Sequence, residues 1–122
     1  MTHISQNLGK SGEEEAVNYL KNEGFEILAT NWRFKHLEVD IIAMHKDELV
    51  VIEVKSRSTD AFGEPEVFVS KQKQRNLIKA ANAYINEVNF NGETRFDVIS
   101  ILQINQKLVV KHIQNAFYPS IN

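Results

Sequence analysis

Two β-rich runs, Leu37 to His45 and Glu48 to Ser56, are separated by only the polar pair Lys46-Asp47. A link that short predicts a tight hairpin. Centring the turn on that pair places Val39 across from Val54, Ile41 across from Ile52 and Ala43 across from Val50, so one face of the hairpin is expected to be wholly apolar. On the other face Asp40 falls opposite Glu53 and Glu38 opposite Lys55, with Ile42 opposite Val51 nearer the turn.

Directly opposed side chains of an antiparallel pair have Cβ atoms roughly 5 Å apart, and two carboxylates there repel by about 3 kcal/mol at an effective dielectric of ~20. The arrangement calls for a cation. The chain has no cysteine, so disulfides and thiolate sites are excluded and oxygen-loving ions such as Mg²⁺ or Mn²⁺ are the default. Mg²⁺ takes one or two carboxylates, keeps several waters and leaves room for a substrate phosphate; the backbone carbonyl of Val54 is a further candidate ligand. Lys55 projects from the same face as Glu53, about 7 Å along the strand, where it is placed to orient a water and neutralise developing phosphate charge. The bland alternative is that Lys55 bridges Glu38 or Glu53 as a half-buried ion pair. Against it, Leu49-Val50-Val51-Ile52 runs straight into Glu53-Val54-Lys55, which puts these charges at the end of an interior strand.

The rest of the chain supplies a frame for this hairpin. Ala16, Val17 and Leu20 form the stripe of an amphipathic helix from about Gly9 to Asn22, with Ser11 and Glu14 as a capping box and Gly24 at its end. Phe25 to Phe34 reads as a strand before the hairpin, and Arg57 to Glu66 as a loop after it. Ser70 caps a second helix to about Val88, with the stripe Leu77, Ile78, Ala81, Ile85 and Val88. Thr94 to Gln103 and Lys107 to Gln114 read as two more strands, with Asn105-Gln106 as their turn. At 122 residues and 43% hydrophobic, this order, α-β-β-β-α-β-β, suits one domain of the α/β class.

Partners are bounded by charge and hydropathy. A net charge near −2 argues against coating nucleic acid by bulk electrostatics, so any contact must be a local patch. No stretch approaches the roughly 18 apolar residues of a membrane span and no basic start precedes an apolar run, so a cytoplasmic protein is expected. Glu13 continues the apolar stripe of the first helix and should face the sheet. Gly9 and Gly12 beside it either serve a turn or let backbone approach a phosphate. Gln74 lies on the stripe of the second helix with Lys73 next to it, both candidates for a substrate contact, whereas Lys71, Arg75 and Lys79 read as a solvated face. Arg33 and Arg57 are candidates to grip a nucleic-acid backbone; Trp32 reads as core. His3, His36, His45 and His112 show no ligand spacing.

Gly9-x-x-Gly12-Glu13, Asn31-Trp32-Arg33, Glu38-Val39-Asp40, Glu53-Val54-Lys55-x-Arg57 and Arg95-Phe96-Asp97 together resemble the YraN family of bacterial proteins, over a span from about Gly9 to Ile101. That family looks like a branch of the PD-(D/E)XK nuclease superfamily, similar to archaeal Holliday junction resolvases. The resemblance implies a restriction-endonuclease-like α-β-β-β-α-β core whose mixed five-stranded sheet is flanked by helices. It implies that Asp40 is a metal-binding aspartate, Glu53 and Lys55 the acid and lysine of the signature, Glu13 the acid of the first helix and Lys73-Gln74 the motif of the second. Leu37 departs from the family, which usually has glycine there. The expectation is therefore a Mg²⁺- or Mn²⁺-dependent endonuclease acting on DNA, branched or otherwise structured, with a homodimer suggested only by analogy with resolvases. The competing expectations are a catalytically silent nucleic-acid-binding or adaptor module on the same fold, and an interaction domain whose acids are tied up by Lys55.

Overall fold

The computed structural model describes residues 4–58 and 69–119, with side chains from residue 12 to 57 and from 69 to 119. Seven elements follow in the order expected: α1 (Ile4–Asn22), β1 (Glu26–Phe34), β2 (Leu37–His45), β3 (Glu48–Ser58), α2 (Lys71–Val88), β4 (Thr94–Ile104) and β5 (Lys107–Phe117). The strands form one sheet in sequence order, antiparallel except for the parallel pair β3–β4, which α2 connects. This is the expected mixed five-stranded α/β architecture.

Local chemistry sets most boundaries. Lys46 and Asp47 both have positive φ, 49° and 69°, as do Asn105 and Gln106, 49° and 67°. That is the two-residue turn whose twist matches paired strands. Gly24, at φ 91°, ends α1: its N–H donates to Lys21 O at 3.1 Å and that of Phe25 to Leu20 O at 2.9 Å, the paired bonds that satisfy the last carbonyls of a helix. Ser70 caps α2, its Oγ accepting from Lys73 N at 3.1 Å.

Four expectations require correction. First, α1 begins at Ile4, so Ser11 lies inside the helix rather than capping it. Second, β3 runs to Ser58, which puts Arg57 on a strand instead of in a loop; the remainder of that expected loop, 59–66, lies outside the described residues. Third, β5 continues past Gln114 to Phe117, absorbing the start of the tail. Fourth, the buried stripe of α2 is Leu77, Ala80, Ala81 and Tyr84, while Ile78 and Ile85 pack at its margin and Val88 is exposed. The stripe is rotated because Tyr84 meets Trp32 edge-on, ring centroids 5.3 Å apart, an arrangement aromatic pairs favour.

The two helices cover opposite faces of the sheet. Ala16 and Leu20 of α1 pack on Ile41, Ala43, Val50, Ile52, Ile99 and Ile101. The α2 stripe packs on Val39, Ile42, Leu49, Val51, Phe96 and Val98. β3 is thus buried on both sides, as its unbroken apolar run requires. Gly12 sits where α1 crosses the sheet: a Cβ there would collide with Ser56 Oγ and stand 3.7 Å from Ile101 Cβ. It serves close helix–sheet packing within the helix, not a turn.

Candidate metal centre

β2 and β3 pair from His45↔Glu48 to Ile41↔Ile52, in the register expected from the turn, and there the ladder stops. One residue further, Asp40 replaces a backbone partner with its side chain: Oδ2 accepts from Val54 N–H at 2.8 Å. The same position is irregular on β1. Thr30 pairs with Ile41 and Trp32 with Val39, leaving Asn31 and Asp40 facing between them, and Asn31 has φ 52°. Ala29 and Trp32, three residues apart, both pack on the α2 side, as do Val39 and Ile42. Regular strands alternate with period two, so both strands switch faces here. Val39 consequently leaves the apolar face it was expected to share with Ile41, Ala43 and Val54, and joins the α2 side instead.

The switch assembles the acids. Asn31 is a residue type that tolerates left-handed backbone, and its Nδ2 donates to Glu13 Oε1 at 3.0 Å, fixing the α1 acid beside β1. Burial raises the pKa of Asp40; the Val54 N–H opposes that shift, and the nearby charge of Glu13 adds to it. Glu53 is more extreme. Its side chain is 13% exposed, Oε2 lies 3.6 Å from Lys73 Nζ, and Oε1 is buried with no hydrogen-bond partner among the described residues. Burial, then the Asp40 charge, push its pKa up to about 7, with Lys73 and Lys55 pulling against them.

Lys55 and Arg57 follow Glu53 at even spacing along a β3 segment that pairs regularly with β4, so all three project to the α2 side. Lys55 is half-buried and has no ion-pair partner within 4 Å among the described residues; Glu38 pairs instead with Arg33, at 3.9 Å, and Glu53 with Lys73. The bridge from Lys55 to either acid is therefore not formed. Asp40 and Glu53 are thus neighbours that feel each other's charge, with Glu13 within electrostatic reach of Asp40, and Lys73 and Lys55 within reach of Glu53. Arg33 stands on the edge strand with its side chain 72% exposed. Gln74 spends its amide on Val69 O, at 2.8 Å.

Among the described residues, no three His, Asp or Glu side chains converge closely enough to hold a metal by themselves. Two neighbouring carboxylates, one of them with an orphaned buried oxygen, match the smaller protein share that Mg²⁺ takes. Asp40, Glu53 and the Val54 carbonyl are the atoms that would hold it.

A second buried charge network lies on the α1 side, and of its residues only Arg95 and Asp97 belong to the sequence motifs. Asp97 receives Arg95 Nε and Nη2, both at 3.0 Å, His112 Nε2 at 2.8 Å and Asn115 N–H at 3.1 Å. Tyr19 Oη meets His112 Nδ1 at 3.0 Å, and Arg95 Nη1 donates to Glu48 at 3.2 Å. Burial pushes the Asp97 carboxyl up, but hydrogen bonds from His112, Arg95 and Asn115 outweigh it and hold it below the usual range. The network ties α1, β3, β4 and β5 together. The available signal was an Arg and an Asp two apart, hence on one face, in an otherwise apolar strand; for Asn31 it was an asparagine within a β-run.

Relatives of this chain are known along most of its length. The family model described as "Uncharacterised protein family UPF0102" matches residues 12–101. A UPF0102 protein of Christiangramia forsetii is 45% identical over 111 residues, covering 91% of this chain and 93% of that protein. Those of Flavobacterium johnsoniae and Parabacteroides distasonis are 44% and 41% identical, over 91% of this chain and 94% and 92% of theirs. The matched span contains Glu13, Asn31, Asp40, Glu53, Lys55 and Asp97 alike, and the chain belongs to the UPF0102 family, the YraN family whose motifs it carries.

Proposed function

We propose that the protein is a metal-dependent endonuclease that hydrolyses DNA phosphodiester bonds. The observation that carries this reading is Glu53: a carboxylate beside Asp40, with one buried oxygen unpartnered and a pKa near 7. A protein gains nothing in stability from such a group, and perturbed carboxylates cluster at functional sites. Asp40, held by Val54 N–H, and Glu53, which feels the Asp40 charge, are the carboxylates that would hold the ion, with the Val54 carbonyl as a further ligand. A bound Mg²⁺ or Mn²⁺ would polarise the phosphoryl oxygen and acidify a ligated water. Lys55, free of ion pairs among the described residues, orients the attacking water and stabilises negative charge building on the phosphate. Water adds to phosphorus, the bond to the leaving oxygen breaks, and that oxygen takes up a proton. Glu13, fixed by Asn31, adds negative potential behind Asp40. Arg57 continues the cationic row along β3.

One observation favours the second reading, a catalytically silent nucleic-acid-binding or adaptor module: Lys73 occupies Glu53 Oε2 at 3.6 Å. A half-exposed lysine is weakly held, so a divalent ion displaces it at little cost. The experiment is cleavage of labelled branched, duplex and single-stranded DNA with Mg²⁺, Mn²⁺ or chelator, by the parent protein, Asp40→Asn and Lys55→Ala. Metal-dependent products that both substitutions abolish are expected. Binding without cleavage, unchanged by chelator and by Glu53→Ala, would transfer the assignment to the silent module. Asparagine keeps an acceptor for Val54 N–H, so loss of activity in Asp40→Asn is not loss of fold.

A further inference from the structure

The solvated face of α2 proves to be one wall of a groove. Lys71, Arg75 and Lys79 line it with Ile78 and Asn82, and Tyr118, just beyond β5, forms the other side; its volume is about 560 Å³. Tyr118 is 73% exposed, the most exposed large hydrophobic side chain among the described residues. Among the described residues no acid lines the groove, in a chain that is net negative. The three cations recur every four residues, a rise of about 6 Å per step along a helix, commensurate with successive phosphates of an extended strand. Arg75 is held in place by Gln72, its Nη2 donating to Oε1 at 2.9 Å. α2 also carries Lys73 to Glu53, so the groove and the metal centre share one rigid helix.

We infer that this groove binds a single-stranded flank of the nucleic-acid substrate, with Lys71, Arg75 and Lys79 on consecutive phosphates and a base stacked on Tyr118. A row of cations tracking the backbone beside an aromatic platform is how single strands are held without sequence preference. Duplex bases are already stacked on one another and offer Tyr118 no free face. The inference rests on the nuclease reading for its substrate, but its test does not require cleavage.

Fluorescence anisotropy with a labelled single-stranded oligonucleotide and a duplex, in chelator and over a salt series, compares the parent with Lys71→Gln/Arg75→Gln/Lys79→Gln and with Tyr118→Ala. All four positions are at the surface, and thermal melting confirms that the variants fold. Each phosphate of a single strand neutralised by the protein contributes about −0.7 to the salt slope, so the triple variant should lose about 2 from that slope and at least tenfold in affinity. Tyr118→Ala should weaken single-strand binding by about fivefold or more and leave the duplex unchanged. A triple variant with parental affinity and slope overturns the inference, even where Asp40→Asn still abolishes cleavage. Equal effects of Tyr118→Ala on both substrates, or parental behaviour of Tyr118→Ala with displacement of the oligonucleotide by polyglutamate, would assign the groove to duplex or to an acidic protein partner and also overturn it.

Discussion

Replacing Glu53 with glutamine removes the charge at the centre while keeping its volume, and needs no substrate to be informative. Burial and Asp40 raise the folded-state pKa of Glu53 from 4.5 to about 7. Between those values the unfolded chain has released a proton that the folded chain retains, so stability falls as pH rises. Integrated to about pH 8, the difference is about 3 kcal/mol at 1.36 kcal/mol per pKa unit. Glu53→Gln is therefore expected to stabilise the metal-free protein by up to about 3 kcal/mol near pH 8, and by almost nothing below about pH 4.5. For a domain of this size that corresponds to a rise in Tm of about 10 °C. The assay is thermal melting in chelator from about pH 4.5 to pH 8, repeated with Mn²⁺, which should raise the Tm of the parent and leave the variant unmoved. A variant less stable than the parent at the alkaline end, or a difference that does not change with pH, would refute the electrostatic account of the centre.

Asp97→Asn should cost about 3 kcal/mol in denaturant unfolding, because it strips the counter-charge from Arg95, which is only 7% exposed. The parent's own Asp97 contribution, from a depressed pKa, is complete above the ordinary carboxylate range and lost as pH falls through the folded value; the acid limb of its stability curve should flatten in Asp97→Asn. Gly12→Leu should destabilise by about 3 kcal/mol despite leucine's better helix propensity, since the side chain has Ser56 and Ile101 in its way; parental stability would show that α1 does not seat as described.

The frame was legible because it depends on short-range chemistry. Two-residue turns, the Ser70 cap and the Gly24 terminus each act within a few residues, and the hairpin register followed from the turn at Lys46-Asp47. Helix ends near apolar stripes were less legible: α1 runs through Gly12, where close packing on β3, invisible in the local sequence, outweighs glycine's low propensity. The rotation of the α2 stripe toward Tyr84 likewise depends on Trp32, about fifty residues away in sequence.

The sequence by itself determined which residue types meet on the hairpin and that two acids and a lysine share its end, since strand alternation and turn length are local constraints. Only the tertiary structure decided how they meet. The paired face switch at Asn31 and Asp40 needs two strands to go irregular together, and it turns Asp40 toward Val54 N–H rather than straight across to Glu53. The partners of the remaining charges were likewise settled by α1 and α2 arriving from opposite faces: Lys73 reaches Glu53, Asn31 holds Glu13, and Lys55 is left unpaired among the described residues. Burial and distance set the energy of a charge, and both are properties of the packed chain.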